Sequence, residues 1–107
     1  MFKFLANLFG KNGPSIGELL SQGAYIVDVR SSKEFKDAHG KDSTNIPLDS
    51  IQSKISTLRK QKKPIVTCCM SGMRSGRAVK ILRKAGIEAH NGGSWQSVEK
   101  ALTSKTE

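Results

Sequence analysis

Residues 65–75 read Ile-Val-Thr-Cys-Cys-Met-Ser-Gly-Met-Arg-Ser, and this segment is the strongest indication of the fold class. The apolar run Ile65–Cys68 has the length of a buried strand, and a turn containing Gly72 follows it. Apolar residues then recur at helical spacing over residues 74–84, and Gly86 is a natural helix stop. A strand that leads through a tight turn into a helix is the repeating unit of α/β proteins.

The same alternation extends in both directions from this unit. Upstream, Tyr25–Val29 is an apolar run of strand length, and residues 31–34 have the pattern of a capping box that starts a helical turn. Residues 44–46 predict a brief extended segment. Downstream, Ile87–His90 predicts a last short strand, and Ser94 can cap a closing helix. We therefore predict an α/β fold, a small doubly wound parallel sheet flanked by helices.

Shorter segments connect these strands. Ser15 can cap a short helix before the first strand. A second helix is predicted to carry Ile51, Ile55 and Leu58 on one face and to end in a basic run. Asn91–Gly93 is predicted to turn the chain into the closing helix.

The 107 residues and 11.7 kDa are enough for one small domain. We expect an N-terminal amphipathic appendage over residues 1–13, one folded domain over residues 14–103 and a tail over residues 104–107. The apolar stretch at the N-terminus is too short for a membrane span and lacks a cleavage site that would mark a signal peptide. We therefore expect a cytoplasmic protein with no stable membrane insertion.

The charge balance of the chain is informative in its sign. Lys and Arg total 18 and Asp and Glu total 9, which gives a formal net charge of +9. An excess of this sign can serve nucleic acid, an anionic membrane surface, an acidic protein partner or small anions drawn into a cleft. The dense basic run at residues 59–63 falls at the end of a predicted helix, where cations suit the helix dipole, so we expect no dedicated nucleic-acid surface.

The two cysteines, Cys68 and Cys69, are adjacent in the sequence. Neighbouring cysteines cannot form an ordinary structural disulfide, because a vicinal bridge strains the peptide and closes no useful loop. With only His39 and His90 as further soft ligands, the spacing of a zinc site is missing, and we expect no metal or other cofactor. A reactive thiol is the remaining interpretation.

Cys69 is the candidate nucleophile because it stands at the carboxyl end of a predicted strand, just before a helix. Backbone N–H groups of the turn can point inward there and stabilise a thiolate, which lowers its pKa. Gly72 allows the turn, and Ser71 and Ser75 offer hydroxyl groups. Arg74 can hold an oxyanion through two parallel hydrogen bonds.

Several segments together carry a family resemblance. Cys69, Ser71, Gly72, Arg74 and Ser75 match the pattern Cys-x-Ser-Gly-x-Arg-Ser, and further matching segments occur in order along the chain. These segments are Ile26–Arg30 with Glu34 and Phe35, His39 with Asn45–Pro47, and Gly92–Trp95. Over about residues 15–102 the sequence resembles the single-domain rhodanese family, the thiosulfate sulfurtransferases.

The resemblance implies a double-displacement reaction. The Cys69 thiolate would take the outer sulfur of a small anionic donor such as thiosulfate, and a thiol or protein acceptor would remove it from the resulting persulfide. We expect a monomer without cofactor. The implied substrate-binding residues are Met70, Ser71, Gly72, Met73, Arg74 and Ser75. Asp28 and Arg30 would be supporting residues of mainly architectural role, with Arg30 paired to Asp28 or Glu34.

Other interpretations remain open at this point. Cys69 could carry or sense sulfur without turnover, with Cys68 forming a strained disulfide under oxidation. Counting from Cys68 gives the Cys-x5-Arg spacing of Cys-dependent phosphatases, although strand alternation should point Cys68 away from the loop. We interpret His39 as a structural hydrogen-bonding residue and His90 as a surface residue. Met70 and Met73 make the loop less cationic, which favours a bulkier or less charged donor.

Overall fold

A computed structural model of the protein describes residues 13–104, in which strands and helices alternate along the chain. The strands are β1 (Tyr25–Asp28), β2 (Ser43–Asn45), β3 (Ile65–Cys69) and β4 (Ala89–Ser94). The helices are α1 (Ile16–Ser21), α2 (Ser32–Asp37), α3 (Ile55–Arg59), α4 (Met73–Lys84) and α5 (Trp95–Ser104). Two short 3₁₀ turns, Leu48–Ser50 and Gln52–Lys54, precede α3.

The four strands form one parallel sheet in the order β2-β1-β3-β4. From β1 the chain moves to β2 on one side, and then crosses back to build β3 and β4 on the other side. The loops that follow β1 and β3 therefore diverge and leave a crevice at the carboxyl ends of these strands, where ligands bind in open parallel sheets. The doubly wound parallel sheet predicted from the sequence is confirmed.

Helices cover the sheet on both faces and create two apolar clusters. The larger cluster contains Val27, Val29, Ile46, Ile51, Leu58, Ile65, Cys69, Ala78, Val79, Leu82, Ile87 and Ala89. The smaller cluster contains Leu19, Leu20, Ile26, Val66, Cys68 and Val98. Successive residues of a strand point to opposite faces, so Cys68 and Cys69 belong to different clusters although they are neighbours in the chain.

Serine side chains begin three of the helices as the sequence predicts. Ser15 and Ser31 form complete capping boxes with Glu18 and Glu34. The Ser97 backbone N–H donates to Ser94 Oγ at 3.1 Å at the start of α5. These caps satisfy backbone donors that helix geometry leaves without partners.

The helix predicted over residues 51–58 is broken into shorter pieces. The chain forms two 3₁₀ turns before α3 begins at Ile55, although Ile51 and Leu58 are both fully buried as expected. The Ser53 hydroxyl donates to the Ser50 carbonyl oxygen at 2.8 Å. Such side-chain bonds compete with the regular helical ladder, which explains the irregular start.

The last strand extends further than the sequence indicated. Asn91–Gly93, predicted as a turn, lies within β4, which continues to Ser94. The pairing of β4 with β3 shifts register between Thr67 and Cys69, so the strand passes the end of β3 through an irregularity. This extension places Asn91 opposite Thr67, near the carboxyl end of β3.

His90 is not the surface residue that the sequence suggested. It is only 7% exposed, and its Nε2 lies 3.0 Å from Glu88 Oε2. The reason is its position in β4 opposite Val66 of β3, in a sheet that helices cover on both faces. His39 has the structural role expected of it, because its Nδ1 donates to the Phe35 carbonyl oxygen at 2.6 Å.

The predicted N-terminal appendage and C-terminal tail lie outside the described residues, apart from Gly13 and Ser104. Between these two residues, no helix has the length and apolar character needed to cross a membrane.

Gly92 is expected to tolerate no side chain. A Cβ atom there would lie 2.5 Å from Val98 Cγ2 and 2.8 Å from the Thr67 carbonyl oxygen, which belongs to the central strand and cannot move aside. We expect Gly92→Ala to lower the free energy of unfolding by about 1–3 kcal/mol, measured by urea denaturation. The matched control is Gly17→Ala in α1, where the nearest atom is 3.9 Å away and stability should stay constant or rise. Equal midpoints for Gly92→Ala and the unmodified protein would contradict this account.

Candidate active site

The turn between β3 and α4 is formed by residues 70–72. Gly72 ends it with φ of +102°, a backbone conformation that side-chain-bearing residues rarely adopt. A Cβ atom on Gly72 would also lie 3.4 Å from the Gly93 Cα. This conformation turns the N–H groups of the loop back towards Cys69, the last residue of β3.

The Cys69 sulfur lies at the centre of the turn. Its Sγ accepts hydrogen bonds from the Gly72 N–H at 3.0 Å and the Ser75 N–H at 3.4 Å, and lies 3.6 Å from Ser75 Oγ. Burial alone would raise the pKa of Cys69, but hydrogen bonds from Ser75, Gly72 and the Ser71 N–H outweigh it and lower the pKa below its ordinary value. The turn therefore favours the thiolate, which is the nucleophilic form of cysteine.

Cys68 has the opposite environment. It is 1% exposed and packs against Leu19, Leu20 and Val98 on the other face of the sheet. Burial, together with the negative charge of Asp28, raises the pKa of Cys68 to about 12. Cys68 is thus a neutral core residue that points away from the turn, as strand alternation predicted.

Asn91 holds the turn from the neighbouring strand, a role that the sequence analysis missed. Its Nδ2 donates to the Gly72 carbonyl oxygen at 2.9 Å, and its Oδ1 accepts from Ser75 Oγ at 2.6 Å and from the Gly93 N–H at 2.9 Å. The available signal was a polar side chain near the carboxyl end of the strand next to β3. The Asn-Gly-Gly sequence obscured it because that composition is typical of a turn.

Arg74 is occupied by an acidic partner. Its Nη1 donates to Glu34 Oε1 at 2.7 Å and its Nη2 to Glu34 Oε2 at 3.0 Å. The hydrogen bonds from Arg74, assisted by those from Ser31, lower the pKa of Glu34 to about 2, and the same pairing raises the pKa of Arg74. The sequence did not place Glu34 at the turn, since it indicated a helix-capping role for this residue, a part in the family resemblance and a possible pairing with Arg30.

Arg30 pairs with Asp28 instead, and both side chains are buried. Arg30 Nη2 donates to Asp28 Oδ2 at 2.8 Å and to the Ala38 carbonyl oxygen at 2.7 Å, and the guanidinium lies 5.1 Å from the Trp95 ring centroid. These contacts tie the end of β1 to the end of α2 and to α5. Arg30 Nη1 also donates to the Glu34 carbonyl oxygen at 3.4 Å, so the pair contacts the backbone that carries Glu34, and its architectural role stays a prediction.

The remaining loop side chains face solvent. Met70 is 51% exposed and Met73 is 70% exposed, and Ser71 is also exposed. The structure therefore brings the N–H groups of the loop and Ser75 to the Cys69 sulfur, while the side chains of Met70 and Met73 extend into solvent. Residues 13–104 contain no group of three acidic, cysteine or histidine side chains placed to hold a metal ion.

Comparison with known proteins identifies the family. The model of the rhodanese-like domain matches residues 14–100. The chain belongs to the rhodanese-like domain family.

Relatives of this rhodanese-like domain include characterised and uncharacterised proteins. Over 63 residues it is 38% identical to the uncharacterised protein YqhL of Bacillus subtilis, an alignment that covers 59% of this chain and 49% of YqhL. It is 30% identical over 74 residues to the thiosulfate sulfurtransferase PspE of Escherichia coli, covering 67% of this chain and 71% of PspE. The chain thus spans about half the length of YqhL and 71% of the length of PspE.

Solved structures confirm the rhodanese fold. The human single-domain sulfurtransferase TSTD1 superposes with a TM-score of 0.61 at 27% identity, over 74% of this chain and 84% of that one. The similarity to PspE and TSTD1 relates the rhodanese-like domain to sulfurtransferases as a family.

The two thiols of this rhodanese-like domain should titrate far apart. We expect the ultraviolet absorbance of thiolate to show one inflection below the ordinary thiol pKa, from Cys69, and no second thiol before about pH 12, because burial keeps Cys68 neutral. The first inflection should disappear in Cys69→Ser and persist in Cys68→Ala, which is the matched control. An inflection that disappears only in Cys68→Ala would show that the assignment is reversed.

Proposed function

We propose that the protein is a sulfurtransferase that moves a sulfane sulfur from thiosulfate or a persulfide donor to a thiophilic acceptor through a persulfide on Cys69. The observation that carries the proposal is the Cys69 sulfur, which accepts backbone hydrogen bonds that lower its pKa at the end of the central strand. Membership of the rhodanese-like family and the similarity to a thiosulfate sulfurtransferase support the same chemistry.

In the first half-reaction the Cys69 thiolate attacks the outer sulfur of the donor. With thiosulfate, a new S–S bond forms on Cys69, the S–S bond of thiosulfate breaks, and sulfite leaves with the electron pair of that bond. The N–H groups of Gly72 and Ser75 already face the sulfur and can stabilise the negatively charged persulfide. In the second half-reaction an acceptor attacks the outer sulfur and restores the thiolate.

Arg74 is the proposed binding residue for the anionic end of such a donor. Its bidentate contact with Glu34 leaves both side chains about one-third exposed. Solvent screens a pair of this kind, so a donor that offers its own oxyanion can compete with Glu34 for the guanidinium. Met70, Ser71, Gly72, Met73 and Ser75 complete the proposed substrate-binding loop.

The environment of Cys68 argues against two alternatives. A phosphatase numbered from Cys68 needs that thiol ionised in the loop, whereas it is buried in the opposite cluster with a pKa of about 12. A vicinal disulfide needs the two sulfur atoms to meet, and they lie on opposite faces of the sheet. A non-catalytic sulfur carrier on Cys69 remains as an outcome of the experiment below.

The proposal includes a monomeric protein in the cytoplasm. A sulfane-sulfur carrier depends on a reduced thiolate, and cytoplasmic thiol systems keep cysteine reduced.

The test follows thiocyanate formation from thiosulfate and cyanide, with whole-protein mass measured on the same samples. We expect turnover and a gain of one sulfur in the unmodified protein and in Cys68→Ala, and neither in Cys69→Ser. The Cys68→Ala variant is a matched control because it alters the adjacent thiol without altering the turn. A stable sulfur on Cys69 without turnover would identify a carrier. The proposal would be refuted if Cys69 gained sulfur neither from thiosulfate nor from a persulfide.

A further inference from the structure

The opening of the candidate site is apolar. In residues 13–104 the large hydrophobic side chains that stand exposed are Met70 and Met73, at 51% and 70%. They flank Gly72, whose N–H donates to the Cys69 sulfur. Other large apolar side chains of this part of the chain are at least partly buried, so its two most exposed large apolar side chains belong to residues next to the turn that holds the Cys69 sulfur.

The burial of the Cys69 sulfur limits how much of a donor can enter the turn. Cys69 is only 1% exposed, which means that a donor can bring little more than its terminal sulfur into the turn. The body of the donor must then rest outside, on the surface around the turn. Met70 and Met73 supply that surface, and methionine side chains are flexible and polarisable enough to fit varied apolar groups.

Charge at the opening does not favour a small dianion. The guanidinium of Arg74 is matched by the carboxylate of Glu34, whose pKa of about 2 keeps it ionised at neutral pH. A cleft of about 220 Å³ beside Arg74 contains both Arg77 and Asp49, so opposite charges share it. A thiosulfate ion would need to displace Glu34 and would then lie next to its negative charge.

We propose that the preferred donor is a persulfide carried on an apolar group, and that Met70 and Met73 are specificity-determining residues that contact this group. This inference rests on the proposed sulfurtransferase function and specifies its donor class. The Cys69 thiolate attacks the terminal sulfur of R–S–SH, a new S–S bond forms between Cys69 Sγ and that sulfur to give the Cys69 persulfide, and the S–S bond of the donor breaks. R–S⁻ leaves with the electron pair, so charge and sulfur count balance without an external oxidant or reductant.

The experiment measures the single-turnover rate of sulfur gain on Cys69 by whole-protein mass. The donors are butyl persulfide, glutathione persulfide as a charged donor of similar chemistry, a short peptide with a cysteine persulfide between leucines, and thiosulfate. We expect butyl persulfide or the peptide to react faster than glutathione persulfide and thiosulfate. The faster of these two apolar donors distinguishes a small-molecule source from a protein-borne source.

Variants assign the preference to the methionines. Met70→Gln with Met73→Gln keeps side-chain length and should lower the rate with the apolar donors about tenfold more than it changes the rate with glutathione persulfide, so that the ratio of the two rates falls about tenfold. Met73→Lys should raise the rate with thiosulfate. The matched control is Gln22→Lys, which adds the same charge at an exposed position. Gln22 precedes β1 and so lies at the amino ends of the strands, whereas the candidate site lies at their carboxyl ends.

The inference is overturned if glutathione persulfide reacts as fast as the apolar donors, or if the double glutamine variant keeps the original ratio of rates. A thiosulfate rate that rises equally in Gln22→Lys and Met73→Lys would also overturn it, because net charge alone would then explain the effect. Failure of the sulfurtransferase proposal looks different: no donor would add sulfur to Cys69.

Discussion

The inward-facing N–H groups at the end of β3 are the interaction on which the site depends. They reach the Cys69 sulfur only because Gly72 adopts a positive φ and α4 begins immediately afterwards, which brings the Ser75 N–H to the same atom. Asn91 fixes this conformation from β4 by binding the Gly72 carbonyl oxygen and the Ser75 hydroxyl. β4 can approach that closely because Gly92 leaves room for Thr67 and Val98. Gly92 has no side chain that could react, but the space it leaves allows Asn91 to hold the turn around the Cys69 sulfur.

Two adjacent cysteines show how strand geometry separates chemical roles. Cys68 and Cys69 have almost equal burial, yet the pKa of one rises to about 12 and that of the other falls below its ordinary value. Burial disfavours both thiolates and the negative charge of Asp28 further raises the pKa of Cys68, whereas the hydrogen bonds of the turn reach only Cys69 and lower its pKa. Low exposure therefore does not identify an inert cysteine. The donors that point at its sulfur decide its reactivity.

The sequence predicted the types of the main elements and the position of Cys69 at the turn because those signals are local. Strand-length apolar runs, capping serines and the Cys-x-Ser-Gly-x-Arg-Ser pattern each depend on neighbouring residues. The unpredicted features depend on residues that are distant in the chain. Arg74 and Glu34 are 40 positions apart. Their pairing depends on β1 and β3 being neighbours in the sheet, because the segments that follow these two strands then lie at the same end of the sheet. Asn91 lies at the site because β4 continues past His90 and pairs Asn91 with Thr67, which no sequence pattern indicated, and His90 was buried by helices on both faces of the sheet.

The pairing of Arg74 with Glu34 changes what a cation at this position can do. A free guanidinium next to a thiolate would attract any small oxyanion, and steering by the net charge of +9 would increase the encounter rate. Glu34 cancels that charge at short range, while the long-range field of the protein remains. Anions can therefore be drawn to the surface without being held firmly at the turn. In the proposed reaction, selection of the donor would then depend on contacts of the donor body with the surface around the turn, where the exposed large apolar side chains are Met70 and Met73.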